Sequence, residues 1–269
     1  MPPPDLDQRL AVAASLALAA GGYALEPFRD PTARQHKFKG PQDYLTAVDG
    51  EVERRIRAGL AESFPNDAVI GEEDGTTGDA SQGAWVIDPI DGTANFARGL
   101  ARWCISIGYV VGRDAVLGVV YDPVHDELFQ ARRGGEATLN GKPIRAASTP
   151  DTKHGIVELG WNPRLGLEEH ITDMSMVIGW GSAIRRLGSG TLGLTDVACG
   201  RSDAYYQRHI WSWDVAAGLA ICEAAGAYIS PFFETDGLTR GNQVLVAAPG
   251  LAPTLKALLT LGRAEPSAL

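Results

Sequence analysis

Trp85-Val86-Ile87-Asp88-Pro89-Ile90-Asp91-Gly92-Thr93-Ala94-Asn95-Phe96 is the stretch on which fold and chemistry both turn. An apolar run leads straight into acids, the pattern of a buried strand that delivers ligands at its end. Pro89 fixes φ and has no N–H for a ladder, so the chain is expected to turn after Asp88 and aim Asp88 and Asp91 at one point. Gly92 lets the backbone approach a ligand closely. Thr93 stands where a helix can begin, with backbone N–H groups for a phosphate and a hydroxyl for a water molecule. Paired carboxylates suit Mg2+, which takes hard oxygen ligands in an octahedron and keeps several waters. A second ion nearby needs a bridging carboxylate and acids from elsewhere, which Glu72, Glu73 and Asp214 could provide. The same residues also have a plain reading, because Asp-Pro and Asp-Gly are common turn dipeptides, and spacing alone does not decide between the two.

Upstream of this stretch, the Ala and Leu content of Asp5 to Arg29 predicts a helix, and Glu51 to Phe64 repeats the signal with Val52, Ile56 and Leu60 on one face. Ala68 to Gly71 and Ala84 to Ile87 read as short strands ending in acids. Downstream, Cys104 to Val111, Ala115 to Tyr121 and Glu127 to Ala131 predict an antiparallel meander, with Asn140-Gly141 as a hairpin turn. Beyond Ser148-Thr149-Pro150, strands near Ile156 to Leu159 and Ala183 to Leu187 alternate with helices near Thr191 to Cys199 and Val215 to Ala225. The expected organisation is an α+β part over 1–147, holding an antiparallel sheet and most metal ligands, and an α/β part over 148–269 that supplies Asp214 and the substrate pocket.

A chain of 269 residues with 45% hydrophobic content can bury a sizeable core. Its net charge of -9 argues against a nucleic-acid polymer as partner, since displacing counterions takes clustered Lys and Arg. A small anionic substrate remains compatible if a bound cation reverses the local field. Leu10 to Leu25 falls short of the roughly 20 residues that span a bilayer and contains Ser15, Gly21 and Gly22, so a first helix is expected rather than a membrane anchor. Asp5 and Asp7 ahead of it argue against a signal peptide. Cys104, Cys199 and Cys222 are odd in number and widely spaced, which fits free thiols and a cytoplasmic location.

The acidic turn, together with Trp213-Asp214-Val215-Ala216-Ala217-Gly218, resembles the inositol monophosphatase family, whose signatures are D-P-[I/L]-D-G-T-x-N-F and a later W-D-V-A-x-G. The resemblance extends to Gly71-Glu72-Glu73, the segment from Asp43 to Asp49, Gly188-Ser189, Asp203 to Tyr206, Ala225-Gly226 and Ala247-Ala248-Pro249. It implies an α/β protein built as a layered αβαβα sandwich, and a Mg2+-dependent phosphomonoesterase that releases inorganic phosphate by attack of a metal-activated water. By the same resemblance, Glu72, Asp88 and the carbonyl of Ile90 hold one ion and Asp88, Asp91 and Asp214 a second, with Glu72 also touching a weaker third, giving roughly two or three Mg2+ per site. Asp49 and Thr93 match the pair that orients and deprotonates the water, with Glu72 counted beside them as catalytic. The Gly92 and Thr93 amides match a phosphate cradle, and Lys39, with Lys37 nearly as well placed, matches a mobile-loop lysine. Gly188, Ser189 and Gly190 would lie beside the organic part of the substrate. The family also suggests a homodimer.

The substrate is less determined, because the family acts on inositol phosphates, histidinol phosphate, fructose 1,6-bisphosphate and 3'(2'),5'-bisphosphate nucleotides. Where inositol phosphatases place a glutamate on the ring hydroxyls, this chain has Gln207, which keeps hydrogen bonding but loses charge-assisted strength. An inositol-1-phosphate-like sugar or polyol phosphate is the first expectation and histidinol phosphate the second. Two rival classes stand beside the phosphatase. Gly188-Ser189-Gly190-Thr191-Leu192-Gly193 has the form of a dinucleotide-binding loop, although no acid follows at the expected spacing. A scaffold that kept the fold and lost activity is the other, opposed by the presence of every matched acid. Gly135 to Lys142 reads as a hairpin rather than a phosphate loop, His209 as a packed or solvated histidine rather than a ligand, and Trp211 and Trp213 as core or wall residues.

Overall fold

The computed structural model describes residues 5–40, 43–162 and 165–260, with the side chains at 38–40, 43 and 45 outside that description. Helix α1 (Leu6–Arg29) leads through a hairpin of β1 (His36–Gly40) and β2 (Asp43–Thr46) into α2 (Ala47–Ser63). Then come β3 (Ala68–Gly71), β4 (Gly75–Thr77), β5 (Ala84–Asp91), the short α3 (Thr93–Arg98), β6 (Cys104–Val111), β7 (Asp114–Asp122), β8 (Glu127–Arg132), β9 (Thr138–Leu139) and β10 (Lys142–Pro143). The rest of the chain supplies β11 (Ile156–Leu159), α4 (Leu167–Gly179), β12 (Ala183–Arg185), α5 (Gly190–Ala198), β13 (Ala204–Ile210), α6 (Ser212–Ala224), β14 (Tyr228–Ile229), α7 (Gly237–Arg240), β15 (Asn242–Ala247) and α8 (Ala252–Leu255).

Two sheets carry the architecture: eight strands in the order β10-β9-β8-β7-β6-β5-β3-β4, and five in the order β12-β11-β13-β15-β14. One face of the large sheet packs on α1 and α2 through Val52, Ile56, Trp85, Ile87, Ile105 and Val119. Its other face packs on α5 and α6, and the same apolar cluster continues through Tyr205, Val244 and Val246 into the small sheet. The far face of the small sheet is covered by α4 and α8 through Val177, Leu251 and Leu255. Successive strand residues feed opposite faces: Tyr205 and Val246 point inward, Tyr206 and Leu245 outward. The result is the α/β, αβαβα layering expected of the sequence.

Small residues set how closely the layers approach. Helix α1 buries Ala13, Ala17, Ala20 and Ala24 along one stripe. By length and composition alone α1 could cross a membrane, yet this stripe forms part of the core against the large sheet. Between the sheets, a Cβ on Gly118 would come within 2.0 Å of the Ala217 carbonyl oxygen, so glycine lets α6 lie directly on β7. That contact fixes the start of α6, where Asp214 sits. Burying side chains such as Val86 or Ile87 at the sheet centre contributes about 1.5–3 kcal/mol each.

Local differences from expectation have physical causes. Helix α2 begins at Ala47 rather than near Glu51, because Thr46 and Asp49 form a reciprocal capping box. The strand expected to reach Leu187 ends at Arg185, since Leu187 is drawn away by hydrogen bonds described below. The meander β6-β7-β8 is antiparallel as expected, but β3 runs parallel to β5, so the large sheet is mixed. Asn140 and Gly141 both take positive φ, 49° and 74°, in the turn between β9 and β10. Strands β13 and β15 and helix α4 had no separate sequence assignment.

Candidate active site

The expected turn after Asp88 is not there: β5 continues through Asp91. Its register against β6 shifts instead, with Asp88 opposite Ser106 but Asp91 opposite Cys104. This is a bulge, the setting in which a central strand tolerates proline. It also explains how the acids converge. Residues three apart in a regular strand face opposite sides, and the extra residue returns Asp91 to the side of Asp88. Past the bulge, Gly92 takes φ 93° and starts α3 as its N-cap, with no side-chain cap hydrogen bond. A Cβ there would stand 2.8 Å from the Arg102 carbonyl oxygen, so the position needs glycine for space as well as for φ.

Helix α6 brings the third acid. Ligand oxygens of Asp88, Asp91 and Asp214 all lie within 4.8 Å of one another. Each carboxylate is held by one oxygen on a backbone N–H: Asp88 accepts from Ile90 at 3.0 Å, Asp91 from Thr191 at 2.8 Å, and Asp214 from Trp211 at 3.0 Å. Glu72 follows β3, whose Gly71 pairs with Ile87, and so stands beside Asp88; it lies outside the group of three.

Electrostatics give this cluster its character. Burial, then the charges of Glu72, Asp91 and Asp214, pushes the Asp88 carboxyl well above its ordinary value. Burial raises Asp91 too, against the lowering effect of hydrogen bonds from Ser189 and Thr191. Asp214 is pushed up to about 8, by burial first and by Asp91 second. Among the described residues, no Lys, Arg or His ion pair reaches Asp88, Asp91 or Asp214. Buried like charges with oxygen-only ligand atoms are what a hard divalent cation neutralises, and the donor set fits Mg2+ in kind.

Asp49 approaches from α2. Its Oδ2 accepts from the Thr46 backbone N–H at 3.0 Å, and its Oδ1 lies 3.2 Å from the Thr93 hydroxyl. That hydroxyl also lies 2.9 Å from the carbonyl oxygen of Ile90, so its one proton has two acceptors to choose from. Burial foremost raises Asp49 to about 6, opposed by its bonds to Thr46.

A cleft of 370 Å³ opens from Asp91 and Asp214 toward the small sheet, lined by Gly188, Ser189, Gly190 and Gln207 among others. The Ser189 hydroxyl is turned onto Asp91 Oδ2 at 2.5 Å, and Ser189 also caps α5 by accepting from Leu192. Gln207 accepts from the Tyr205 hydroxyl at 2.6 Å and donates to the His209 carbonyl at 2.7 Å. Lys37 is exposed on β1, whereas the Lys39 side chain falls outside the described residues. Sequence reasoning assigned no site role to Glu158, Trp161, Arg186 or Tyr205, which also line the cleft. Glu158 carried a usable signal as the lone charge inside the apolar run Ile156–Leu159; burial raises it to about 7, with Arg102 pulling the other way.

The profile of the inositol monophosphatase family matches residues 5–262. The chain belongs to the inositol monophosphatase family. It is accordingly a phosphoric monoester hydrolase. The chain is 33% identical to the inositol-1-monophosphatase of Mesorhizobium japonicum over 249 residues, covering 89% of this chain and 93% of that one. It is 38% identical over 200 residues to a protein named Nus factor SuhB from Xylella fastidiosa, covering 74% and 72%. Among solved structures, the inositol monophosphatase of Anabaena superposes with a TM-score of 0.81 at 29% identity, covering 98% of this chain and 99% of that one.

Within this family frame the rival motifs find other uses. The N-terminus of α5, where a dinucleotide pyrophosphate would dock, gives its Thr191 amide to Asp91. His209 lies 2.9 Å from the Arg240 carbonyl through Nε2 and 3.2 Å from Asn162 through Nδ1, so both ring nitrogens are engaged within the protein. Trp211 and Trp213 stack on each other at 5.1 Å.

Proposed function

We propose that this protein hydrolyses a small phosphate monoester, an inositol-1-phosphate-like sugar or polyol phosphate, in a Mg2+-dependent reaction that releases inorganic phosphate. The observation that carries this reading is the meeting of Asp88, Asp91 and Asp214 from β5 and α6, with Thr93 just past the β5 bulge and Asp49 within reach of its hydroxyl. Asp88, Asp91, Asp214, Glu72 and the Ile90 carbonyl would hold Mg2+, which supplies neutralisation of the phosphate oxygens and acidification of a water. Asp49 and Thr93 handle the proton. With the Ile90 carbonyl engaged by a cation, the Thr93 hydroxyl keeps Asp49 Oδ1 as its acceptor. It can then take a proton from the attacking water as it passes its own to Asp49 Oδ1, leaving Asp49 protonated. Gly92 and Thr93 amides at the start of α3 cradle the phosphate, and Gly188, Ser189, Gly190 and Gln207 border the organic group.

Asp49→Asn is expected to lower kcat by about 10²- to 10⁴-fold, the usual worth of a general base. Thr93→Val keeps shape and removes the hydroxyl, so a smaller loss in kcat is expected; steady-state phosphate release checks both, and an unchanged rate in either variant removes that residue from the proton path. Substrate identity is tested by kcat/KM across inositol 1-phosphate, histidinol phosphate, fructose 1,6-bisphosphate and a 3',5'-bisphosphate nucleotide. The polyol phosphate is expected to rank first, and a bisphosphate or histidinol phosphate in that place replaces this assignment. The same proposal takes the protein to be a cytoplasmic homodimer.

A further inference from the structure

Asp91 and Asp214 owe their placement to a segment on the other side of the cleft. The Ser189 hydroxyl and the Thr191 N–H both donate to Asp91 Oδ2, at 2.5 and 2.8 Å, and the Thr191 hydroxyl donates to the Asp214 carbonyl oxygen at 2.6 Å. Residues 189–191 therefore touch both acids. What holds this segment in turn is the peptide on either side of Leu187. Its N–H donates to Glu158 Oε1 at 3.1 Å, and its carbonyl accepts from Asn95 Nδ2 at 2.9 Å. Asn95 spends its other amide hydrogen on the Arg102 carbonyl at 2.8 Å, and Glu158 Oε2 faces the Arg102 guanidinium at 3.5 Å. Arg102 is itself anchored on Asp196 of α5 at 2.8 Å. Glu158 and Asn95 are buried; Glu158 engages both carboxylate oxygens and Asn95 both amide hydrogens within the protein.

We propose that Glu158, with Asn95, is a positioning residue for the metal site: together they clamp the Leu187 peptide and so hold Ser189 and Thr191 on Asp91 and Asp214. The inference rests on the reading of Asp91 and Asp214 as Mg2+ ligands. Groups one step removed from a metal commonly govern its affinity by orienting the ligands, and their loss costs about 10- to 100-fold in binding. Glu158 also borders the cleft, so a direct substrate contact is the competing role, and the two separate by experiment.

Calorimetric titration of MgCl2 into the full-length wild type, Glu158→Ala and Glu158→Gln makes the test. Glu158→Ala is expected to bind Mg2+ about 10- to 100-fold more weakly. Its KM for the phosphate ester at saturating Mg2+ should rise by a smaller factor than its Mg2+ affinity falls, because Glu158 itself makes no substrate contact in this assignment and only the wall at Gly188 to Gly190 loosens. Glu158→Gln keeps an oxygen for the Leu187 N–H and should remain within about threefold of wild-type Mg2+ affinity. Wild-type Mg2+ affinity in folded Glu158→Ala, with KM raised instead, overturns the clamp and makes Glu158 a substrate contact. If Glu158→Ala does not fold, Asn95→Leu under the same titration decides, with weakened Mg2+ binding expected and unchanged binding fatal. Should the wild type itself take up no Mg2+, the metal-site reading and the clamp fall together; a wild type that binds beside variants that bind equally sinks the clamp alone.

Discussion

Asp91→Asn is expected to bring phosphate release down to background in Mg2+ while leaving the protein folded. Asp91 Oδ2 is occupied by the Ser189 hydroxyl and the Thr191 N–H, which leaves Oδ1 as the oxygen with lone pairs to spare for a cation. An asparagine that keeps its oxygen on those donors turns its NH2 toward the cation, where it offers no lone pair. The flipped amide sets N–H against the Thr191 N–H, leaving buried donors opposed. The first orientation removes a ligand from the cation site, and the second leaves a neutral oxygen there without the charge or the two hydrogen bonds that seat Asp91. Loss of fold is not the cause expected, because removing one of several buried like charges relieves repulsion on Asp88 and Asp214. Metal-free Asp91→Asn should thus melt no lower than the metal-free wild type. Full activity of Asp91→Asn at saturating Mg2+ would remove Asp91 from the site.

Much of this arrangement is written locally. Glu72, the acidic turn and the Trp213-Asp214 pair are separated along the chain, yet each carries its own signal: an acid at a strand end or at a helix start. The layering follows from alternating apolar patterns. The bulge could not be read, because it exists only in the pairing of Asp88 and Asp91 with Ser106 and Cys104, and proline after an acid looks the same in a turn. Glu158 was missed for a related reason: its partners Arg102 and Leu187 lie far away in sequence, and only the packed structure joins them. Ser189 was expected beside the substrate's organic group and does border the cleft, but its hydroxyl is turned onto Asp91, a direction that residue type does not encode.

The same buried charges make stability depend on pH and on Mg2+ together. Carboxyl groups raised in the folded protein hold protons that the unfolded chain has released, so between the unfolded value near 3.9 and the folded value the native state binds more protons, and stability falls as pH rises. Asp49, raised to about 6, and Asp214, raised to about 8, place this loss between about pH 4 and pH 8, and the rises of Asp88 and Asp91 act in the same direction. Exposed acids with lowered values, such as Asp30, Asp79 and Asp151, titrate below pH 4, and in the upper range Glu158, raised to about 7 chiefly by burial, adds to the cluster in the same direction. His170, lowered by burial and then by Arg186, opposes the trend, as a single group against several acids. In EDTA the melting temperature is therefore expected to drop from pH 5 to pH 8. Mg2+ displaces the same protons, so the stabilisation it adds should grow over that range. Thermal melts at both pH values, with EDTA and with Mg2+, check this directly. A melting temperature in EDTA that holds or rises toward pH 8, with a Mg2+ increment indifferent to pH, would mean these acids do not form one coupled cation site.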